Sequence, residues 1–207
     1  GRVISGVELS MPGAHNVRNA LAAVAIAVEL GVDDDTIRSA LAGFKGVKRR
    51  FTIVGEAQGI TVVDDYGHHP AEIAAVLSTA RDRCGGKIIA VIQPHRYSRL
   101  SSLFKDFCTC FGDADVIIVA DVFPAGESPI EGVDRDALVS GIRSSGCHNV
   151  FSLVDPDGLA EMIAELAAMG DMVVCLGAGT ITHWANQLPA ALDRLAAQGD
   201  AVARSGQ

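Results

Sequence analysis

The residues best equipped for chemistry fall in four short strings. Asp64-Asp65-Tyr66-Gly67-His68-His69-Pro70 places two carboxylates beside two imidazoles, and Gln93-Pro94-His95-Arg96-Tyr97-Ser98-Arg99 places two guanidinium forks beside a third. Asp121-Val122-Phe123-Pro124-Ala125-Gly126-Glu127 and Gly177-Ala178-Gly179 complete the set. Planar forks with five N–H donors suit carboxylates and phosphates, so His95, Arg96 and Arg99 point to an anionic ligand. Asp64, Asp65, His68 and His69 read either as metal ligands or as polar groups that contact a nucleotide and orient a substrate. Their spacing leaves both open, and a structural histidine before Pro70 is a third reading.

Gly177-Ala178-Gly179 lets backbone N–H groups approach an anion or simply makes a tight turn, and Thr182 stands where a dinucleotide fingerprint needs its last glycine. No GxxxxGK[ST] string occurs, so the chain carries no Walker loop. Asn16 and Asn19 are three positions apart near the start of a helical segment; one N-cap cannot use both amides.

The surrounding pattern says what positions these strings. Apolar residues at 17, 20, 21, 24 and 28, stopped by Gly31, predict a well-buried helix, and Asp33, Asp34 and Asp35 begin a second one carrying Ile37, Leu41 and Phe44. Residues 43–50, with Gly43, Gly46, Lys45, Lys48, Arg49 and Arg50, break the composition and read as a hinge. Beyond it the period becomes that of strands. Phe51–Glu56 and Ile60–Asp64 flank a Gln58-Gly59 turn, and Lys87–Ile92, Asp115–Ala120, Met172–Leu176 and a weaker Asn149–Val154 follow. Helical windows at 70–83, 99–111, 134–145, 156–168 and 180–197 alternate with them, and 199–207 is expected to fray.

This alternation predicts an α/β fold, a doubly wound and mostly parallel sheet over 47–207, preceded by a two-helix piece of a neighbouring domain over 1–46. Ligands of such sheets bind outside the carboxyl ends of the strands, and all four chemical strings lie directly after predicted strands. The opposite edge carries only bland turns such as Gly85-Gly86 and Gly112-Asp113.

Composition narrows the partners. The 207 residues carry 17 basic and 25 acidic side chains, a net charge of -8 that argues against a nucleic-acid ligand. The longest apolar run, Ala20 to Val28, is nine residues, about half of a membrane span, and no export leader is visible. Five cysteines without a CxxC pair suit a reducing cytoplasm. Cys108 and Cys110 are too closely spaced for a common zinc loop, and no second pair exists.

Taken together, GAHNVRNALAAVAIA, GVKRRF, DDYGHHPAEI, QPHRYSRL, DVFPAGESPI and GAGTI resemble the Mur ligases along nearly the whole chain, to about residue 195. The paired DDYGHHP and QPHRYSR strings resemble the branch that joins L-alanine to the lactyl carboxylate of UDP-N-acetylmuramate in peptidoglycan synthesis. The resemblance implies a three-domain cytoplasmic enzyme driven by ATP and Mg²⁺, whose principal metal ligands and phosphate cradle sit in a central domain not present in this sequence. The chain would be the last helices of that domain joined to the Rossmann-like C-terminal domain, inactive alone. Carboxylates are poor acyl electrophiles; the family first phosphorylates the carboxylate and then lets the amine attack.

By the same resemblance Asn16, Asn19, Arg50 and Asp65 match nucleotide-side positions, and Tyr66, His68, His95, Arg96 and Arg99 match positions that hold the incoming alanine. No metal ligand is assigned. Leu100, Phe123 and Thr180 depart from the usual threonine, tyrosine and asparagine, and Phe123 is left outside the site for want of a hydroxyl. Two alternatives stay open: a metal-dependent hydrolase using Asp64, Asp65, His68 and His95, and a non-catalytic nucleotide-binding module.

Overall fold

Four adjacent parallel strands bury side chains on both faces, and that pattern needs helices on either side. The computed structural model describes residues 3–205, with the side chains of residue 15 and residues 200–205 excepted. The chain divides into two compact units, 1–48 and 49–207.

In the first unit, α1 (Ala14–Glu29) starts at Gly13, whose φ of 98° suits glycine, and α2 (Asp34–Gly43) is capped by Asp33, which accepts the Thr36 N–H at 2.8 Å. The expected burial of α1 is not found. Val17, Leu21 and Ile26 are 50–62% exposed, because a ten-residue partner helix covers only one stripe of a sixteen-residue one.

The second unit carries β1 (Thr52–Ala57), β2 (Ile60–Asp65), α3 (Pro70–Arg81), β3 (Ile88–Ile92), α4 (Tyr97–Ser102), α5 (Phe104–Phe107), β4 (Val116–Ala120), α6 (Arg135–Ser144), β5 (Val150–Leu153), α7 (Leu159–Leu166), β6 (Met172–Leu176) and α8 (Ile181–Ser205). The sheet order is β1-β2-β6-β3-β4-β5, with β1 antiparallel to β2 and every other pair parallel. The β1–β2 hairpin turns at Gln58 and Gly59, both at positive φ (53° and 74°), the geometry that matches strand twist.

One sheet face packs Val63, Ile88, Ala90, Ile92, Ile117 and Val174 against α3 to α6 through Ile73, Leu77, Leu100, Phe107, Leu138 and Ile142. The other packs Val62, Ile89, Val91, Ile118 and Cys175 against α7 and α8 through Leu159, Ile163, Ile181, Ala185, Leu188 and Leu192. Burial in this apolar interior pushes the Cys175 thiol up, and the Cys110 thiol up to about 12, so both pack as small hydrophobes.

Three expectations change. The window at 99–111 is two short helices, because Ser101-Ser102 competes with the helix ladder: the Ser102 hydroxyl donates to the Arg99 carbonyl and the backbone leaves helical angles at Leu103. The window at 156–168 opens with a 3₁₀ turn at Pro156–Gly158 before α7. The tail that reads as frayed continues α8 to Ser205, and Ala201, Ala203 and Arg204 are strong helix formers; Gly206 and Gln207 lie outside the described residues.

The edge formed by the strand starts is built for anchoring. Asp171, 5% exposed, accepts the Lys87 N–H at 2.7 Å and the Ala168 N–H at 2.8 Å, and Asp115 accepts the Ile88 N–H at 2.7 Å while pairing with Arg81. Burial works against the Asp115 charge, but the Ile88 N–H and the Arg81 guanidinium hold its carboxyl below the usual range. Replacing Asp171 with alanine strands two N–H donors in a buried turn. We expect a loss of about 2–4 kcal/mol in urea unfolding with an unchanged m-value; a shift in midpoint worth less than about 0.5 kcal/mol would contradict the anchoring role.

Candidate functional site

The sheet order decides which loops meet. Strands β2, β6, β3 and β4 are adjacent and parallel, so the segments after them, 66–70, 177–180, 93–99 and 121–127, share one rim. At its base lies Asp65, 1% exposed, whose carboxylate accepts the Phe51 N–H at 2.7 Å and the Gly67 N–H at 2.6 Å. Those bonds, with the Tyr66 N–H donated to the Arg49 carbonyl at 2.7 Å, clip the chain entering β1 to the chain leaving β2. A Cβ at position 67 would stand 3.0 Å from the Asp65 Oδ1, so the glycine permits the approach.

The clip puts two guanidinium groups over one ring. Arg49 lies 4.9 Å and Arg50 5.7 Å from the Tyr66 centroid. Arg49, held at φ 62°, also donates to the Gly177 carbonyl at 2.5 Å, and its Nε stands 3.6 Å from Asp64. Asp64 is buried and accepts the Thr182 hydroxyl at 2.6 Å. Arg49 Nε and Asp64 Oδ1 are the two buried side-chain atoms without a hydrogen-bond partner among the described residues.

Two of the three rim histidines are oriented by partners that fix their protons. His68 Nδ1 lies 2.9 Å from the Tyr66 carbonyl, which can only accept, so in the neutral ring Nδ1 carries the hydrogen and Nε2 keeps its lone pair. Glu72 stands 3.7 Å from the same nitrogen. His95 is the reverse. Arg99 donates Nη1 to the His95 carbonyl at 2.8 Å and to Nδ1 at 3.2 Å, and a guanidinium cannot accept, so the neutral ring carries its hydrogen on Nε2. The rings sit 5.7 Å apart, and His95 stacks on Phe123 at 5.4 Å and 17°.

Burial, then the neighbouring His68, Arg99 and Arg96, push the His95 pKa below its ordinary value; Glu127 opposes them. His69 serves the scaffold: its Nδ1 accepts the Ala71 N–H at 3.3 Å while Glu72 accepts the His69 and His68 N–H groups, a capping box with Pro70 in the first turn of α3. Burial raises and these N–H bonds, with His68 and Arg50, lower the Glu72 pKa; the net direction is down.

Arg96 and Arg99 differ. The Arg99 fork is committed to His95, whereas the Arg96 side chain is 50% exposed with Glu127 at 3.9 Å as its ion-pair partner. Arg96 has φ 73°, an uncommon angle for a residue with a Cβ, and its N–H donates to the Phe123 carbonyl at 2.9 Å.

The Gly177–Gly179 turn is a tight one. A Cβ at Gly179 would fall 2.5 Å from Gln93 Oε1 and 2.6 Å from the Phe123 ring, and one at Gly177 would fall 2.9 Å from the Gln93 carbonyl. Gln93 itself accepts the Ile181 N–H and donates to the Thr180 hydroxyl.

The structure therefore brings Arg50, Asp65, Tyr66, His68, His95, Arg96 and Arg99 to one rim. Asn16 and Asn19 lie in the 1–48 unit: Asn16 is buried and donates to the Pro12 carbonyl at 2.7 Å, so it caps no N-terminus, and Asn19 is exposed. Sequence reasoning assigned no site role to Arg49, Glu72 or Glu127 and set Phe123 aside for want of a hydroxyl. Glu72, three residues after His69 at a helix start, was legible as a capping box; Glu127 stands in one of the four chemical strings and Arg49 in the hinge, but the partners of both lie across the fold. The metal-hydrolase arrangement is not assembled, since the Asp65 oxygens are occupied by N–H groups and no three ligating side chains cluster among the described residues.

Residues 49–179 match the family model for the Mur ligase, glutamate ligase domain. The chain is 61% identical over 194 residues, 94% of its length, to UDP-N-acetylmuramate–L-alanine ligase of Paramagnetospirillum magneticum and 62% identical over 192 residues to that of Rhodopseudomonas palustris. It spans 41% of the length of each of these relatives. Among solved structures, UDP-N-acetylmuramate–alanine ligase from Thermotoga maritima superimposes with a TM-score of 0.73 at 28% identity, covering 93% of this chain and 40% of that one.

For a group whose folded pKa is depressed, the unfolded chain takes up the proton first. His95 should thus cost stability as pH falls below about 6.5. We expect NMR to show the His95 midpoint below that value with the Nε2–H tautomer, and Arg99→Ala to move it upward. A wild-type Nδ1–H tautomer would contradict the assignment.

Proposed function

Since this chain belongs to the Mur ligase family, we propose that its rim is the amino-acid-presenting half of an ATP-dependent ligase that joins L-alanine to UDP-N-acetylmuramate. The observation that carries this reading is the juxtaposition of an exposed Arg96 fork with two oppositely protonated histidines, an arrangement that matches both ends of a small zwitterion. Arg96 takes the α-carboxylate as a charge-assisted pair, and His95 Nε2–H donates to the same group. His68 Nε2, with its lone pair free, takes the proton that the α-ammonium must lose before nitrogen can attack; the Tyr66 carbonyl and Glu72 stabilise the imidazolium that results. Arg99 acts through His95, holding ring and tautomer. Tyr66 forms a wall, edge-on to His68 at 5.1 Å.

On the nucleotide side Arg50, exposed and held only loosely by Glu72 at 3.8 Å, is the cation this unit offers to a phosphate chain. Asp65 belongs to the same side through position, since its oxygens hold the backbone of Phe51 and Gly67. ATP supplies the phosphoryl group that gives the acceptor carboxyl carbon a leaving group. Mg²⁺ is usually bound through one or two carboxylates together with substrate phosphates, and the family resemblance puts its principal ligands and the phosphate cradle in the central domain. The Asn16 and Asn19 amides are proposed to lie on the adenine side in the whole enzyme, Asn19 being the exposed one.

The five cysteines carry no disulfide, which suits the cytoplasmic site of action that the family resemblance implies; no helix among the described residues is long and apolar enough to cross a membrane.

In the full-length ligase, Arg96→Ala should raise KM for L-alanine by roughly 10- to 150-fold, the equivalent of about 1.5–3 kcal/mol for a lost charge-assisted bond, and leave KM for UDP-N-acetylmuramate within about two-fold. Equal losses for both substrates would contradict the assignment.

A further inference from the structure

The 121–127 segment contains a constrained turn whose product is one side chain. Pro124, Ala125 and Gly126 carry the chain around with Ala125 at φ 50° and Gly126 at φ 86°, closed by the Glu127 N–H donated to the Pro124 carbonyl at 3.0 Å. A positive φ at alanine is uncommon, and the turn that holds it delivers Glu127 to the start of α4. There the carboxylate accepts the Ser98 N–H at 2.9 Å and the Ser98 hydroxyl at 2.6 Å, across 29 positions of sequence.

Helix α4 lacks a cap of its own, because its N-cap residue is Arg96, whose side chain makes no capping bond. Glu127 fills that role from another strand's loop. The same carboxylate stands 3.9 Å from Arg96 Nη1. Its pairing with the Ser98 hydroxyl and N–H holds the Glu127 pKa below the usual range, so it is ionised at neutral pH. The 93–99 loop is thus fastened at Ser98 and electrostatically restrained at Arg96 by one group.

We infer that Glu127 is a positioning residue for the amino-acid end of the site: it fixes the start of α4 through Ser98 and holds the Arg96 fork in place until the carboxylate of the incoming amino acid displaces it. This rests on the reading of Arg96 as the carboxylate receptor. The two functions separate by substitution. In Glu127→Gln the amide still accepts from the Ser98 N–H and donates to its hydroxyl, while the charge that competes for Arg96 is gone. In Glu127→Ala both are lost.

The test is steady-state kinetics of the full-length ligase with both variants, together with amide hydrogen exchange of Ser98. Glu127→Gln should lower KM for L-alanine by about two- to five-fold, the scale of an exposed ion pair. Glu127→Ala should raise it about ten-fold, with kcat changed less than three-fold and Ser98 protection reduced about ten-fold. A purely structural role would move KM in the same direction for both variants, and that result overturns the inference. So does unchanged Ser98 protection in Glu127→Ala. Failure of the wild-type enzyme to use L-alanine would instead overturn the functional reading and be recognised by the wild-type measurement alone.

Discussion

A buried carboxylate that accepts two backbone N–H groups sets the geometry of the rim. Asp65 sits at the last position of β2, and its bonds to Phe51 and Gly67 join two stretches that the chain separates by a hairpin. Without an acceptor there, two N–H groups would be left in a site closed to water, each at a cost of about 1–3 kcal/mol. With it, Arg49 and Arg50 are delivered over Tyr66, and Arg49 reaches the Gly177 carbonyl at the end of β6. The residue that the resemblance places on the nucleotide side thus works by holding backbone, and the side chains that face outward are its neighbours.

Around that clip the division of labour follows from what each partner can and cannot do in a hydrogen bond. A carbonyl only accepts, so His68 keeps its lone pair on the outer nitrogen; a guanidinium only donates, so His95 keeps its proton there. Two identical side chains with ring centroids 5.7 Å apart thereby carry a lone pair on the outer nitrogen in one case and an N–H in the other. Burial and the surrounding His68, Arg99 and Arg96 depress the His95 pKa and favour the neutral ring. The two arginines diverge for a related reason: one is consumed in orienting a ring, and the other leaves its fork half exposed with Glu127 at 3.9 Å.

Much of this was legible from residue types and period. Strands β3, β4 and β6 bury every residue, and their β-branched runs mark them to within one residue at each end. Placing the polar strings after strands fixed their common rim, because a parallel sheet has only one carboxyl edge. The two-residue Gln58-Gly59 hairpin was equally plain. Three features were not. Exposure of α1 depends on what covers it, which no periodicity reports. The break at Leu103 comes from serine hydroxyls competing with the ladder, and a helical window averages over it. The parts played by Phe123 and Glu127 depend on pairings across the 93–99 and 121–127 loops, contacts that arise only once β3 and β4 lie side by side.

The claim that a single carboxylate organises the rim is tested most directly by amide hydrogen exchange in the wild-type chain and in Asp65→Asn. An asparagine has one acceptor oxygen and must set an N–H against the other donor. The account predicts that the Phe51 and Gly67 amides are protected in the wild type, that at least one loses protection by about ten-fold or more in the variant, and that amides within β3, β4 and β6 are unchanged. Wild-type protection retained at both positions would contradict it.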